Sequence, residues 1–545
     1  MLKSAASKPG SGLIAHCEAL CEEDGVCSPE KLNAITNIFN EPIPKMESRP
    51  YPHVSIENVF DDAFLRNCLE ELKTCLTGNF KETDLFKVYQ TMDLANLESC
   101  IADQSSVKNL LRLRGFLYSP EFRAFVERTT GCANLDGSVD CSCNLYTPSC
   151  HLLCHDDVIG RRKVSYIIYL TDPDEEWKAT DGGQLELYGI GVDGANPCSS
   201  PESSLLPKWN SMIMFEVLPG RSFHAVREVS SRGKTRVSIS GWFHTNEVSG
   251  DTVVGKKRLS TLEQLRSDAI KCTENKSKVL PTLEKTPLGK MNWSSLRDWI
   301  NPEYVSVAGM RKIQKHFAVN GSVQLFDFIL PNVCDPLKSK LNREDSRNSR
   351  MRHMYDYGVG LGWTVCGPPH LCRYLRYEST NSEGTFRRSD VGEVLENIRN
   401  EVFASLEFKA WIETVTGSTC QLSNSEIRRF RPGFDYTLAY NTRQSRTEID
   451  VTACFTGESS SPSWTSGDVG GYKCFMYNFG TQEGAADVYE EQNVNNDLQS
   501  ASASFNSVLI VRVSKSVDDF VKYVSTFAPS SRWDIVTRLV TSETE

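Results

Sequence analysis

His155 and Asp157 stand one residue apart in the stretch CHLLCHDDVIGRRKVSYIIYL. In an extended run, side chains alternate, so both would project to one face and Asp156 to the other. Two imidazoles and one carboxylate on one side of an octahedral metal form the facial arrangement of non-haem Fe(II) sites, with three positions left open. Those positions suit a chelating oxo-acid and O2. The third ligand must come from downstream, where only His224 and His244 precede the next linker. His224 follows a turn marked by Pro219-Gly220, and Arg236 lies 12 residues further on, opening TRVSISGWFH. In that alternating run Arg236, Ser238 and Ser240 share a face, and an arginine there can clamp a carboxylate through two parallel hydrogen bonds. The spacing therefore selects His155, Asp157 and His224 as iron ligands and Arg236 as the clamp, with His244 a strand-end residue. A zinc pair of His151 and His155 would need a helix; Pro148, Gly160 and the lack of helical periodicity argue against one.

Elements able to hold such a site follow from the pattern. From Ser55 to about Gly131 the chain reads as helical, since NVFDDAFLRNCLEELKTCL and VKNLLRLRGFLYSPEFRAFVERTTG space apolar residues by three and four. Beyond Gly131, short runs such as VSYIIYL, SMIMFEV and RVSISGWFH are β-rich and bounded by Gly, Pro, Asp or Asn. Many short punctuated strands indicate a sandwich or barrel rather than βαβ units.

The pattern then recurs. Ser119–Gly131 matches Ser405–Gly417 at seven of thirteen positions; Gly182-Gly183 is echoed by Gly470-Gly471, and the run from Asn210 to Val217 by that from Asn506 to Val513. The offsets of 286, 288 and 296 grow in order, as small loop insertions between two copies would produce. The nine histidines end at His370, so the second copy cannot supply such a triad. By the offset, Phe520 falls opposite His224, and Asn441 to Arg443 opposite His155. The runs Arg428-Arg429-x-Arg431 and Lys256-Lys257-Arg258 read as solvated surface.

The 545 residues, 24% charged and 39% hydrophobic, have the composition of a soluble globular protein. A formal net charge of -10 argues against direct nucleic-acid binding. No run of about 18 apolar residues is present, so no membrane span is expected, and the N-terminus lacks the basic-then-apolar pattern of a secretory signal. The 19 cysteines lack zinc-finger spacing, including the group Cys141, Cys143, Cys150 and Cys154, and read as free thiols of a reducing compartment.

His155-Asp-Asp157, Tyr169, Gly182-Gly-Gln-Leu185, Pro219-Gly220, His224 and Arg236 resemble the prolyl-hydroxylase type of 2-oxoglutarate oxygenase. The duplicated layout resembles, more specifically, the ribosomal prolyl 3-hydroxylases and their yeast termination-and-polyadenylation relatives. The resemblance implies two tandem double-stranded β-helix (jelly-roll) domains with supporting helices, mainly β or α+β in class. It implies a flexible segment at 1–50, a catalytic domain at 51–245, a connector with one helix at 246–300 and a degenerate, non-catalytic domain at 301–545. It further implies Fe(II), 2-oxoglutarate and O2, with ascorbate keeping the iron reduced. Tyr169 would join Arg236 on the distal carboxylate of 2-oxoglutarate, and Leu152 would line the same pocket. The implied substrate is a proline of a small-subunit ribosomal protein at the decoding centre, acted on by a monomer in cytoplasm and nucleus. Oxygenation of another substrate, or a non-catalytic scaffold, is the alternative.

Overall fold

The computed structural model describes residues 35–39, 41–246, 261, 278–279, 293–347, 353–378, 388–439, 447–457, 462–477, 497–514 and 516–542. Two units divide the chain, Met1–Leu262 and Glu263–Glu545.

The first unit is built on β1 (His53–Glu57), β2 (Asn79–Glu82), β3 (Phe86–Asp93), β4 (Leu135–Val139), β5 (Ser142–Tyr146), β6 (His151–His155), β7 (Arg162–Tyr169), β8 (Leu185–Leu187), β9 (Ser203–Leu205), β10 (Ser211–Glu216), β11 (His224–Val226) and β12 (Arg236–Thr245). The sheet runs β1-β10-β7-β12-β5-β3-β6-β11-β8-β9, with β2 on β3 and β4 on β12. Alternation on its central strands makes two cores. Val164, Tyr166 and Ile168 of β7, Met212 and Met214 of β10, and Val237, Ile239 and Phe243 of β12 face helices Asp62–Cys75, Lys108–Leu117 and Pro120–Thr130. The intervening Ile167 and Tyr169 of β7 and Ile213 and Phe215 of β10 pack on Leu185 and Leu187 of β8, six places from β7 and seven from β10 in the sheet. Such contact requires the antiparallel sheet to curl until its two ends face each other, enclosing an apolar interior.

Local chemistry sets the supporting helices. Asp61 caps helix Asp62–Cys75 by accepting from Phe64 N at 2.9 Å, and Phe64, Leu65, Cys68, Leu69 and Leu72 form its buried stripe. Ser119 caps helix Pro120–Thr130, which starts on proline and ends at the left-handed Gly131. The helical reading of Ser55–Gly131 needs correction, because β1 and the β2–β3 hairpin lie within it. Part of the segment read as a flexible N-terminus is packed: Ile35 and Ile38 are buried, and Thr36 Oγ1 donates to Val59 O at 2.7 Å.

The second unit has a sheet in the order Ser322–Phe326, Ser507–Val513, Glu448–Thr456, Arg532–Thr541, Cys420–Phe430, Cys372–Tyr377, Trp363–Cys366, and a three-stranded sheet Asp497–Ala501, Lys473–Tyr477, Val517–Val521. Trp293, Leu296 and Ile300, read as connector, belong to its core. Several devices of the first unit recur. Ser405 caps helix Leu406–Thr416, which ends at left-handed Gly417. Asn506 (φ 57°) hydrogen-bonds both backbone groups of Ile329, as Asn210 (φ 54°) does with Phe60. Arg428, Arg429 and Arg431 overturn the surface reading: all three are buried, and they pair with Asp534, Asp345 and Asp435 at 2.8 Å each. Burying a charge costs much less when it is paired, which is how these three arginines are accommodated. Lys256-Lys257-Arg258 lies outside the described residues.

Candidate active site

β6 ends at His155, and β11 sets His224 directly opposite it, across an irregularity between the pairs His224–His155 and Val226–Leu152. Asp157 lies past the strand in the left-handed region, at φ 62°. The expectation that strand alternation pairs Asp157 with His155 is thus corrected: a turn, which aspartate tolerates better than most residues, swings the carboxylate back. His155 Nε2 is 3.0 Å from Asp157 Oδ1, and His224 Nε2 is 3.3 Å from Asp157 Oδ2. One ligand atom from each of the three residues lies within 4.8 Å of the others, and all three side chains are buried. Asp156 points elsewhere, accepting from Gly220 N and Thr261 N at 3.0 Å each.

The histidines are oriented by their own backbone. His155 Nδ1 meets Leu153 O at 2.8 Å, and His224 Nδ1 meets Ser222 O at 2.7 Å. A ring whose Nδ1–H is given to a carbonyl carries its lone pair on Nε2, the form a metal takes. Burial alone would raise the Asp157 pKa, yet the imidazoles of His224 and then His155 outweigh it and hold the carboxyl well below its ordinary range. Two imidazole nitrogens and one carboxylate, buried and convergent, fit a divalent iron.

Arg236 begins β12 opposite Tyr146 of β5. Its Nε donates to Gly183 O at 2.8 Å, its Nη1 to Ser238 Oγ at 3.1 Å, and its guanidinium lies 4.9 Å from the ring centroids of both Tyr146 and Tyr169. Arg236 is 1% exposed, and among the described residues no carboxylate pairs with it. Tyr169 is fully buried, and among the described residues no acceptor meets its hydroxyl. Burial raises the Tyr169 pKa, and the Arg236 charge opposes that rise. A buried cation and a buried hydroxyl in need of acceptors are together a carboxylate receptor. Phe215 links the two halves, packing with Tyr169 and lying 4.8 Å from the His224 ring.

Leu152 packs with Tyr146, Trp177 and Val226, in the cluster beside Arg236. His151 is buried with Nδ1 on Ser149 O at 2.9 Å, outside the three-residue cluster. His244 lies 3.2 Å from Asp140 Oδ2 near the end of β12. Cys141, Cys143, Cys150 and Cys154 are buried thiols. Sequence reasoning missed Tyr146, whose place opposite Arg236 depends on strand pairing, and Trp242, whose Nε1 donates to Asp157 Oδ2 at 2.9 Å. Trp242 could have been found, since it lies six residues beyond Arg236 on the same alternating face.

In the second unit the corresponding places are filled differently. Leu187, four residues beyond Gly183, faces His224; Phe475, four residues beyond Gly471, faces Asp519. Asp519, not Phe520, therefore stands opposite His224. The stretch Asn441 to Arg443 lies outside the described residues.

The sequence profile described as 2OG-Fe(II) oxygenase superfamily matches residues 141–244, so the curled sheet of the first unit is that oxygenase fold. The profile described as oxoglutarate and iron-dependent oxygenase degradation C-term matches 291–545. Prolyl 3,4-dihydroxylase OGFOD1 of Ostreococcus tauri is 54% identical over 494 residues, which is 90% of this chain and 95% of that protein. Prolyl 3-hydroxylase OGFOD1 of Xenopus laevis is 31% identical over 66% of this chain and 58% of its own. A prolyl-4-hydroxylase of Pseudomonas putida, of known structure, aligns at 20% identity over 36% of this chain and 93% of its own, with a TM-score of 0.27.

Proposed function

The chain belongs to the OGFOD1 family of Fe(II)- and 2-oxoglutarate-dependent prolyl hydroxylases, and from that premise we propose that it hydroxylates C3 of a proline in a small-subunit ribosomal protein at the decoding centre. The observation that carries the chemistry is Arg236, a buried guanidinium lacking a carboxylate partner among the described residues, beside two histidines and an aspartate that converge.

In this reading His155, Asp157 and His224 hold the iron. With 2-oxoglutarate and O2, the iron supplies the oxidising power that turns a prolyl C–H into C–OH, while 2-oxoglutarate leaves as succinate and CO2. Arg236 and Tyr169 hold the far carboxylate, fixing the cosubstrate's orientation. Tyr146 walls the arginine on one side, and Leu152 closes the same end. Leu185, Leu187, Ile213 and Phe215 exclude water from the interior. Ascorbate keeps the iron reduced between turnovers.

We read the first unit, from Ile35 to Asn246 of its described residues, as the catalytic domain, and the second, whose core starts at Trp293, as a degenerate, non-catalytic double-stranded β-helix. In favour of the last, Arg532 donates to Gly471 O as Arg236 does to Gly183 O, and Asp519 stands where His224 does. The protein acts as a monomer in cytoplasm and nucleus, on a protein rather than a nucleic acid. Addition of a second oxygen at C4 is a further reading, favoured by 54% identity to a protein named prolyl 3,4-dihydroxylase.

The test is mass spectrometry of a decoding-centre ribosomal peptide incubated with the protein, Fe(II), 2-oxoglutarate and ascorbate, beside a His155→Ala control. One added oxygen on proline supports 3-hydroxylation and two the dihydroxylation. An unmodified peptide with continuing 2-oxoglutarate turnover refutes the substrate, and loss of both refutes the enzyme reading.

A further inference from the structure

β12 carries Arg236, Ser238, Ser240 and Trp242 along one alternating face. Trp242 Nε1–H donates to Asp157 Oδ2 at 2.9 Å, while Asp157 Oδ1 faces His155 at 3.0 Å. The indole is itself braced. The Arg162 guanidinium lies 3.4 Å from the centre of the Trp242 ring, and Arg162 Nε is 3.8 Å from Asp140 Oδ2. Pairing of β7 with β12 places Ser165 opposite Trp242, so the braced ring is anchored to the centre of the sheet. A chain of contacts thus runs from Asp140 through Arg162 and Trp242 to Asp157.

The terminal torsion of an aspartate is soft in any backbone conformation, so two histidine contacts alone leave the Asp157 carboxylate latitude about its Cβ–Cγ bond. A donor fixed in the sheet narrows that latitude. We propose that Trp242 is a positioning residue that fixes the rotation of the Asp157 carboxylate, keeping Oδ2, which lies 3.3 Å from His224 Nε2, on the indole N–H and so directing Oδ1 to His155, and that Arg162 locks the indole in that orientation. The proposal rests on the reading of His155, Asp157 and His224 as metal ligands. An indole N–H is well suited to the task, because it donates, cannot accept and does not titrate. Partners of this kind, one step removed from the metal, commonly change metal affinity by about 10–100-fold.

The test uses the full-length protein, Co(II) as the probe, and the variants Trp242→Phe and Arg162→Met. The readouts are the Co(II) dissociation constant by chelator competition, the Co(II) d–d absorption spectrum and the Tm of the metal-free protein. Trp242→Phe keeps an aromatic ring and removes the donor. Its metal-free Tm should stay near wild type, its Co(II) affinity should fall about 10–100-fold, and its d–d bands should shift. Arg162→Met, which leaves the indole in place, should move affinity and spectrum in the same direction by less, and it decides the matter if Trp242→Phe does not fold. Wild-type affinity and spectrum in the folded variants overturn this proposal alone. A wild-type protein that binds no Co(II), or a His155→Ala protein that binds it equally well, overturns the metal reading and this proposal with it.

Discussion

Arg532 Nη1 donates to Gly471 O at 2.6 Å, as Arg236 Nε donates to Gly183 O at 2.8 Å, but the residue two positions further along each strand differs. Arg236 meets the hydroxyl of Ser238, whereas Arg532 lies 3.2 Å from the carboxylate of Asp534, which Arg428 also grips with two hydrogen bonds of 2.8 and 3.0 Å. The second unit thus supplies from its own chain the negative charge that a buried arginine requires. Asp534→Asn should strand two buried cations and destabilise the second unit by roughly 3–5 kcal/mol. Urea denaturation would register this as a lower midpoint for that unit, with the KM for 2-oxoglutarate unchanged. A raised KM would mean that the second unit takes part in cosubstrate binding.

Arg236 has no such internal partner among the described residues, so its substitution should act on ligand binding. Arg236→Met is expected to weaken 2-oxoglutarate by roughly 2–5 kcal/mol, and Arg236→Lys by less, since an ammonium cannot reproduce the two-pronged geometry. Steady-state KM and competition binding with a non-reactive dicarboxylate measure this. Unchanged affinity in both variants would place the carboxylate elsewhere.

His155, His224 and Arg236 were legible because each stands beside a local signal: an alternating run, a Pro-Gly turn, or the start of a β-rich segment. Asp157 does converge with the two histidines, but not for the local reason of strand alternation, since the strand stops at His155 and a residue at φ 62° does the placing. Alternation cannot show where a strand ends. The β2–β3 hairpin was hidden because FKVYQTMD lies among strongly helical neighbours, and its pairing with β5 and β6 is set by tertiary contacts. The buried arginines of the second unit failed for another reason. Charge in a strand reads as solvent exposure unless its partners are known, and Asp345 and Asp534 lie 84 and 106 residues from Arg429 and Arg428.

Two glycines with nearly equal φ, 75° and 76°, but very different ψ, 3° and -159°, should respond very differently to alanine. Gly131 (φ 75°) ends a helix with nothing within 4 Å of an added Cβ, so Gly131→Ala meets only the left-handed strain of about 1–2 kcal/mol. Gly182 (φ 76°) would place a Cβ 1.9 Å from Glu228 O. Since Gly183 N donates to that same carbonyl at 3.3 Å and Gly183 O holds Arg236, the backbone cannot give way without moving the clamp. Gly182→Ala should therefore lower Tm more than Gly131→Ala and also raise the KM for 2-oxoglutarate, while Gly131→Ala lowers Tm alone. Equal effects on KM would disconnect the glycine pair from the site.

Acid should act on the second unit through Asp534. Burial alone would raise its pKa, but Arg428 and then Arg532 outweigh burial and hold it below its ordinary value. A carboxyl lowered in the folded state contributes stability that is fully present above its unfolded pKa, about 3.9. That contribution is lost as pH falls through the folded value. Wild-type stability from this group should be flat from pH 7 to about 5 and decline below about 4. Asp534→Asn has no proton to take up at that position, so its deficit against wild type should be largest at neutral pH and shrink as acid is added. Urea midpoints of the two proteins between pH 7 and 3 measure the difference. A deficit that stays constant would mean that Asp534 is not held ionised by its arginines.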